Sequence, residues 1–412
     1  MNDTEFFDRL LGLKPPWKVD RIELDILSES VNVYLTYSSR AAFECPVCKK
    51  RAPKYDVRNV RKWRHLDTLQ LKTYLVASVP RIECGTHGVQ TVEVPWSEPH
   101  SRFTLILECH AIRVLQATRV QSKAGQLLRL SPSQIHDIMQ RAVERGLQLR
   151  NQSEILTNLS LDEKSFQKGH YYVTVLGDTT QKRVLDITED RTLEATVSLL
   201  RDTLSQSQIE GVKSVSMDMW TAFMSARAEV LPEADTVHDR FHMSGYLNKA
   251  VDNTRRDEFR SQQKTGNDQL SKTKYLWLKS DINLTDKQKA ALEGLKGLQL
   301  DTAKVWAFKE KFRDFFDCKD VHEGESFINQ WCEASVAIRN KHLTKVSAMI
   351  LKHKEGLLAY IKHKVTNATA ESLNAQIQYI KTCARGYRTF AGFRIAVLFF
   401  LGKLKLYPQE SS

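Results

Sequence analysis

The chain has 412 residues and a formal net charge of +12, and 42% of its residues are hydrophobic, which fits an ordinary globular protein with more than one domain. The longest apolar run near the C-terminus, residues 395–401, is too short to span a bilayer, and the N-terminus lacks the features of a signal peptide. Seven cysteines spread along the chain do not suggest a disulfide framework. We therefore expect a cytoplasmic protein with no membrane partner.

The positive charge is concentrated in residues 45–150, where Lys and Arg outnumber Asp and Glu more than twofold, whereas residues 1–44 are net acidic. Such a basic block attracts polyanions, because Lys and Arg contacts to phosphates give affinity that does not depend on sequence. Improved solubility is the alternative explanation. An anionic membrane surface is a weaker candidate, since we find no basic amphipathic helix with an aromatic face.

The N-terminal part predicts a strand-rich module that holds a metal. Residues 20–37 and 69–87 alternate apolar and polar side chains and predict strands. The first pair of potential ligands is Cys45-x₂-Cys48, and the second is Cys84-x₂-His87. A two-residue gap lets both members of a pair face one ion, and two such pairs suit a structural Zn²⁺.

Other interpretations of these cysteines stay open at this point. Cys45 and Cys48 would also fit a hairpin as ordinary buried residues, and Cys109 and His65 are the ligands to consider if His87 is not one. The predicted zinc-binding module covers residues 1–98.

Residues 99–152 predict a helix-turn-helix domain. Helical spacing covers 103–120 and 122–130, and a longer helix follows, with Ser131 as N-cap and Pro132 in the first turn. A short break between two helices is the pattern of helix-turn-helix, although many helical hairpins bind nothing. The side chains predicted to face a DNA groove are Gln134, His136, Gln140, Arg141 and Arg145.

After residue 152 the predicted elements change from helices to alternating strands and helices. The predicted elements are strands at 159–166, 170–178, 183–190, 212–218 and 235–241, with helices at 193–207 and 220–231. This βββαβαβ order indicates a mixed α/β sheet over residues 153–242. Residues 243–364 are polar and strand-poor, and they predict an almost entirely helical region before the last segment, 365–412.

Three carboxylates can meet in this arrangement. Asp162 lies in the first strand and Asp218 ends the fourth, and these two strands can be neighbours. Glu371 is the one acidic residue of 365–394 and opens a helix. The apolar side of that helix is formed by Ala370, Leu373, Ile377 and Ile380. Three carboxylates held together form an oxygen-donor site for Mg²⁺ or Mn²⁺, although Glu371 alone would also fit a helix-dipole interaction.

Four sequence blocks resemble, in order, the signature blocks of the ISL-three family of bacterial insertion-sequence transposases. They are SLDEKSF, SMDMWTAF, VHDRFH and NATAESLNAQIQYIKTCARGYRTFAGFR. The last block is the most specific, and its residues at family positions are Asn367, Glu371, Asn374, Gly386, Tyr387 and Arg388. Ser372 departs from the family's usual glycine.

The resemblance implies a DDE transposase with a ribonuclease-H-like core, an all-helical insertion at 243–364 and a return to the core at 365–412. It implies that Asp162, Asp218 and Glu371 are catalytic and hold two Mg²⁺ or Mn²⁺ ions, with Asp162 bridging both. The residues that it implies for supporting these ligands or contacting DNA are Asp239, His242, Asn374 and Arg388. Lys381 and Arg385, cations of the same basic segment, are further candidates for DNA contact.

The resemblance also implies a zinc-ribbon-like N-terminal module, in which the family usually has a cysteine where this chain has His87. The implied partner is double-stranded DNA, as terminal inverted repeats and target, bound by a homodimer or larger assembly at the bacterial nucleoid. The alternatives are a transposase-derived DNA-binding protein without catalysis and a ribonuclease-H-like structure-selective nuclease. Trp220 is interpreted as a core residue rather than a base-stacking one.

Overall fold

A computed structural model of the chain describes residues 2–167, 171–238, 240–264, 266–298, 300–364 and 368–408. The chain divides into two compact units. The N-terminal unit contains the residues up to Arg150 and the segment from Leu404, and the C-terminal unit runs from Asn151 to Lys403. Among the described residues, no helix is both long enough and apolar enough to cross a bilayer.

The N-terminal unit is built on a five-stranded sheet of order β1-β2-β6-β5, with β7 paired to β6. Its elements are α1 (Asp3–Leu11), β1 (Trp17–Asp25), β2 (Ser30–Tyr37), β3 (Phe43–Glu44), β4 (Arg51–Ala52), β5 (Lys54–Arg64), β6 (Lys72–Cys84) and β7 (Gly88–Thr91). Strands β2 and β6 are parallel, and β3 and β4 form a separate hairpin. The strands predicted at 20–37 and 69–87 are present, and the basic stretch between them is the edge strand β5.

Three helices complete this unit: α2 (Leu105–Thr118), α3 (Gln121–Leu128) and α4 (Pro132–Gln148). The Ser131 side chain caps α4 and Pro132 lies in its first turn, as the sequence predicts. The segment from Leu404 belongs here too, because the Tyr407 hydroxyl donates to Gln116 Oε1 at 2.7 Å. The sequence alone places this segment in the catalytic core, since nothing in its composition reveals its partner.

The C-terminal unit starts with a five-stranded sheet of order β10-β9-β8-β11-β12. Its elements are β8 (Asn158–Gln167), β9 (Tyr171–Asp178), β10 (Arg183–Glu189), α5 (Leu193–Thr203), α6 (Gln206–Gly211), β11 (Ser214–Met217), α7 (Thr221–Val230) and β12 (Asp235–Val237). The first three strands form an antiparallel meander, and β11 is parallel to both β8 and β12. The predicted strand and helix order is confirmed, with α6 as an additional short helix.

A helical region follows, and its described part contains no strand, as predicted. Its helices are α8 (Arg240–Gln263), α9 (Lys274–Leu278), α10 (Asp286–Lys296), α11 (Asp301–Lys311), α12 (Val321–Ala337), α13 (Lys341–Lys352) and α14 (Lys354–His363), with 3-10 helices at Asp281–Asn283 and Phe312–Asp317. It has its own core, in which Trp277, Phe312 and Phe315 are fully buried.

Two helices close the unit: α15 (Ala368–Cys383) and α16 (Phe390–Leu401). The predicted apolar side of α15 is buried at Leu373, Ile377 and Ile380. A Cβ placed on Gly177 of β9 would lie 3.4 Å from Leu373 Cδ1, so α15 packs directly on the sheet. Burial of this stripe leaves Glu371 on the exposed side of the helix.

Candidate functional site

Four side chains of the N-terminal unit form a compact cluster: Cys45, Cys48, Cys84 and His87, whose ligand atoms all lie within 4.8 Å of one another. Cys48 Sγ is 3.7 Å from Cys84 Sγ, and Cys84 Sγ is 3.6 Å from His87 Nδ1. A tetrahedral Zn²⁺ with ordinary bond lengths requires about 3.8 Å between two sulfurs and about 3.6 Å between sulfur and nitrogen. The cluster therefore has the spacing of a zinc site as well as its donor set.

Two tight turns hold the ligands in place. The Cys45 amide donates to Lys50 O and the Lys49 amide donates to Cys45 O, both at 2.9 Å, which closes the loop between β3 and β4. Lys49 adopts a left-handed backbone, with φ of 56°. In the second turn Cys84 pairs with Gly88, whose φ of 64° suits glycine. Each pair of ligands is thus fixed by its own hairpin.

The second turn also favours the thiolate. Hydrogen bonds from the backbone amides of Thr86 and His87, and then from the His87 side chain, lower the pKa of Cys84 to about 6. A thiolate is the form that binds zinc. His65 and Cys109, the alternatives to His87, are not part of the cluster, and His65 Nδ1 lies 2.9 Å from Thr104 Oγ1 instead.

In the C-terminal unit, strand register brings two of the predicted carboxylates side by side. Strands β8 and β11 are parallel, with Leu161 opposite Met217. The next residue on each chain is the predicted ligand, Asp162 on β8 and Asp218 just past the end of β11. Residues that are paired across a sheet point to the same face, and both aspartates directly follow the last pair of this register.

The two aspartates are held in the same way. The Glu163 amide donates to Asp162 Oδ1 and the Met219 amide donates to Asp218 Oδ1, each at 2.7 Å. A side chain from another element also approaches each carboxylate. The Asn374 side-chain amide donates to Asp162 Oδ2, and His242 Nδ1 lies 3.6 Å from Asp218 Oδ1.

Helix α15 is tethered along β8 by successive contacts. Beyond the Asn374 contact, Lys381 Nζ donates to Ser165 O at 2.7 Å, and Gln167 Nε2 donates to Tyr387 O at 3.3 Å. Glu371 lies three residues before Asn374, and residues three apart share one face of a helix. Glu371 is therefore one turn from the residue that contacts Asp162, on the same exposed side of α15.

The three carboxylates are less tightly gathered than the zinc ligands. Among the described residues, no group of three or more Cys, His, Asp or Glu other than the zinc cluster has ligand atoms all within 4.8 Å of one another. The structure thus places Asp162 and Asp218 directly after a paired position of two neighbouring strands, and Glu371 on helix α15. Asp239 and Asn367, which were also predicted, lie outside the described residues.

Two predicted cations follow α15. Arg385 and Arg388 are exposed, and Arg385 has a left-handed backbone with φ of 56° next to Gly386 at 95°. A positive φ such as that of residue 386 favours glycine, which explains the glycine of the Gly-Tyr-Arg sequence. The Tyr387 ring packs 5.4 Å from that of Phe393, and burial raises the pKa of Tyr387.

The arginines of α4 have internal partners. Arg141 donates to Glu108 Oε1 at 2.8 Å, and Arg145 binds Glu108 Oε2 at 3.2 Å and Glu98 Oε1 at 2.7 Å. Glu108 is fully buried, so these guanidinium groups neutralise a carboxylate inside the unit. These ion pairs give both arginines a structural role, and their predicted DNA contact stays a prediction.

The other predicted residues of α4 are nearer the surface. Gln134 accepts from the Ser131 amide at 2.9 Å and completes the capping box. Exposed Gln140 donates to Glu144 at 2.8 Å, and His136 is half-buried. Their predicted DNA contacts stay predictions.

Two exposed features lie outside the set of predicted site residues. Arg58 and Arg61 are exposed on edge strand β5 and have no ion pair among the described residues. Trp220 was interpreted as a core residue, but it is 42% exposed. Its position two residues after Asp218 was the signal that could have drawn attention to it.

Comparisons with known proteins agree with these features. The sequence model of the DDE transposase family ISL3, described as a transposase, matches residues 159–397. A second model, described as the zinc-finger of transposase IS204/IS1001/IS1096/IS1165, matches residues 41–87 and so includes all four cluster ligands.

Similar curated proteins cover nearly the whole chain. The transposase for insertion sequence element IS1557 of Mycobacterium tuberculosis is 24% identical, over 94% of this chain and 93% of its own length. The transposase for IS1001 of Bordetella parapertussis is 24% identical, over 94% of this chain and 96% of its own length. Because the family model spans more than half of the chain and includes both aspartates and Glu371, the chain belongs to the ISL3 family of DDE transposases.

Proposed function

We propose that this transposase binds the terminal inverted repeats of its own insertion sequence and carries out metal-dependent DNA cleavage and strand transfer. The observation that carries the proposal is the register of β8 and β11, which pairs Leu161 with Met217 and so aligns Asp162 with Asp218. Two carboxylates side by side at a strand end repel one another, and a cation relieves that repulsion.

The donor set fits a magnesium or manganese site. Asp162, Asp218 and Glu371 offer only oxygen ligands, which these hard cations prefer. Asp162 is central, because it neighbours Asp218 across the sheet and contacts α15 through Asn374. Bound divalent ions would activate the attacking water or 3′-hydroxyl and would stabilise the charge on the phosphate during in-line displacement.

Other residues of the C-terminal unit support this arrangement. Asn374 holds Asp162 Oδ2, and backbone amides hold one oxygen of each aspartate, so the carboxylates are oriented before DNA arrives. Arg385 and Arg388 are exposed cations on the turn after α15, suited to bind backbone phosphates on both sides of the reacting one. These residues would position DNA rather than hold metal.

The N-terminal unit is the proposed reader of the terminal repeats. It contains the zinc cluster, the basic segment 45–150 and three helices, of which α3 and α4 are joined by the three residues from Arg129 to Ser131 in a connection that suits helix-turn-helix. Because a mobile element has two ends, we infer that two or more copies of the chain act together on DNA.

The test is cleavage of a labelled duplex that carries one element end, in Mg²⁺, by the full-length protein and by Asp218→Asn. We expect cleavage and joining to target DNA by the native protein, and binding without cleavage by Asp218→Asn. Binding without cleavage by the native protein would support the alternative of a transposase-derived binding protein. Cleavage with no joined product would support a nuclease.

A further inference from the structure

Trp220 differs from every other tryptophan of the chain. The other six tryptophans are at most 8% exposed, whereas Trp220 is 42% exposed. It is the residue immediately before α7 and lies two residues after Asp218. A tryptophan exposed to this extent next to the proposed active site leaves an aromatic face available to a ligand.

The ring is held in a fixed position. Trp220 Nε1 donates to Arg191 O at 3.1 Å, and the Arg191 guanidinium lies 4.6 Å from the centre of the Trp220 ring. The same guanidinium is 4.5 Å from the Tyr172 ring, so it stacks between two aromatic side chains. Because the ring is already ordered, a ligand that stacks on it loses little additional entropy.

This stack is anchored beside the predicted metal ligands. Arg191 Nη1 pairs with Glu163 Oε2 at 2.5 Å, and Glu163 follows Asp162 on β8. Trp220 itself follows Asp218 by two residues. The exposed ring is therefore tied through Arg191 to the segment that carries Asp162 and by the chain to Asp218, so it lies near the place where the proposed function puts the reacting phosphate.

We propose that Trp220 stacks against an unpaired nucleobase of the element end, next to the phosphate that reacts. This inference rests on the proposed function, because it requires DNA at the aspartates. An exposed aromatic face is the usual platform for unpaired bases, and Arg191 is the cation beside this one. Moving one base out of the duplex onto Trp220 would unstack the DNA at that step and open the backbone for attack.

Three variants of the full-length protein test the proposal. Trp220→Ala removes the stacking face, Trp220→Phe keeps an aromatic face, and Tyr275→Ala removes an exposed aromatic residue from α9 as a matched control. On a paired element end we expect Trp220→Ala to cleave roughly 10- to 100-fold more slowly, as expected for loss of one base stack. We expect Trp220→Phe and Tyr275→Ala to stay within a few-fold of the native rate.

A mismatch at the nucleotide beside the scissile phosphate separates stacking from a structural role. A mismatched base costs less to unpair, so it should restore cleavage by Trp220→Ala more than it accelerates the native protein. Equal losses in Trp220→Ala and Trp220→Phe that no mismatch restores would mean that the residue only anchors Arg191, and the proposal would be overturned. A native rate for Trp220→Ala would overturn it as well.

Tryptophan fluorescence of the protein–DNA complex, measured in Ca²⁺ in place of Mg²⁺, tests the stacking inference without relying on cleavage. The difference in emission between the native protein and Trp220→Phe reports Trp220, because the six buried tryptophans are common to both. We expect mismatched element DNA to quench this emission more strongly than paired DNA of the same sequence. Unquenched emission in a formed complex overturns the stacking inference alone, whereas failure to form any specific complex removes the proposed function and the inference with it.

Discussion

The zinc cluster and the three proposed metal-binding carboxylates are assembled in different ways. Each pair of zinc ligands comes from one hairpin, and all four ligand atoms lie within 4.8 Å of one another. The carboxylates come from β8, from the end of β11 and from α15, which are far apart along the chain. Local turns determine the first site, whereas the second depends on strand register and on the packing of a distant helix.

The two sites therefore differ in the contacts on which their geometry depends. A turn such as the one at Cys84 keeps its geometry as long as its own few hydrogen bonds form. The position of Glu371 depends on the Asn374 contact with Asp162 and on the Lys381 contact with Ser165 O. Loss of a zinc ligand should therefore affect folding, and loss of a carboxylate should affect chemistry.

The largest effect is expected at the zinc cluster. Cys48→Ser removes one of four ligands, and a structural zinc site contributes on the order of 10 kcal/mol to the folding of a small module. We expect the purified variant to lose its zinc, measured by elemental analysis, and to become protease-sensitive in residues 1–98.

Cys318→Ser is the matched control, since Cys318 lies outside the cluster in the helical region. It should keep one zinc per chain. If Cys48→Ser retained both zinc and protease resistance, local assembly of the site by two hairpins would be refuted.

The second effect concerns Glu371. Glu371→Gln keeps the size of the side chain but removes its charge, so we expect cleavage of an element end in Mg²⁺ to fall by roughly 10³-fold while DNA binding is unchanged. Combining it with Asp162→Asn should cost little more than either change alone, because ligands of one site act as a unit.

Lys381→Met sharpens this test, because Lys381 fixes α15 to β8 without being a ligand. It should slow cleavage by a smaller factor than Glu371→Gln. Cleavage by Glu371→Gln within a few-fold of the native rate would show that Glu371 is only a helix-start glutamate, and Glu163 would be the next ligand to test.

The difference between local turns and distant tertiary contacts also explains which features could be predicted from the sequence. The spacing of the two ligand pairs predicted the zinc ligands, with His65 and Cys109 as the open alternatives to His87, and hydrophobic periodicity predicted the order of strands and helices. Asp162 and Asp218 became neighbours only through a register that periodicity does not specify, and Trp220 was wrongly interpreted as a core residue because exposure depends on what surrounds a side chain. Tertiary partners, rather than local pattern, were the missing information.

A third prediction concerns the arginines of α4, whose partners lie elsewhere in the chain. Arg145→Met leaves buried Glu108 with Arg141 as its remaining cation, and breaking a buried ion pair costs about 3 kcal/mol or more. We expect a clear drop in the unfolding midpoint of the N-terminal unit in denaturant.

Arg113→Met is the matched control for this change, since Arg113 is exposed on α2. It should change the free energy of unfolding by less than about 0.5 kcal/mol. If Arg145→Met kept full stability and lost only DNA affinity, the original prediction that Arg145 binds DNA would be correct after all.

The smallest effect is expected at Arg58 and Arg61, which have no ion pair in the part of the chain that the structure describes. Both are exposed on β5, an edge strand whose outer side is not covered by another strand of the sheet. Cations on an edge strand prevent pairing with other chains, but they are also available to bind phosphates. Changing both to alanine should weaken binding to the terminal repeat about tenfold at moderate salt. Each phosphate that is no longer neutralised should reduce the slope of log affinity against log salt by about 0.9.

The salt dependence of DNA binding distinguishes cations that bind phosphates from cations that contribute only a general electrostatic effect. Lys287→Ala combined with Lys289→Ala removes the same charge from exposed positions of α10 and controls for a general electrostatic effect. If Arg58 and Arg61 each bind a phosphate, the slope of log affinity against log salt should change by about two in the β5 variant. It should not change in the α10 variant. An unchanged slope in the β5 variant would move DNA recognition away from this strand. Exposed Gln140 and half-buried His136 of α4 would then be the next residues to test, ahead of Arg141 and Arg145, which already bind Glu108 and Glu98.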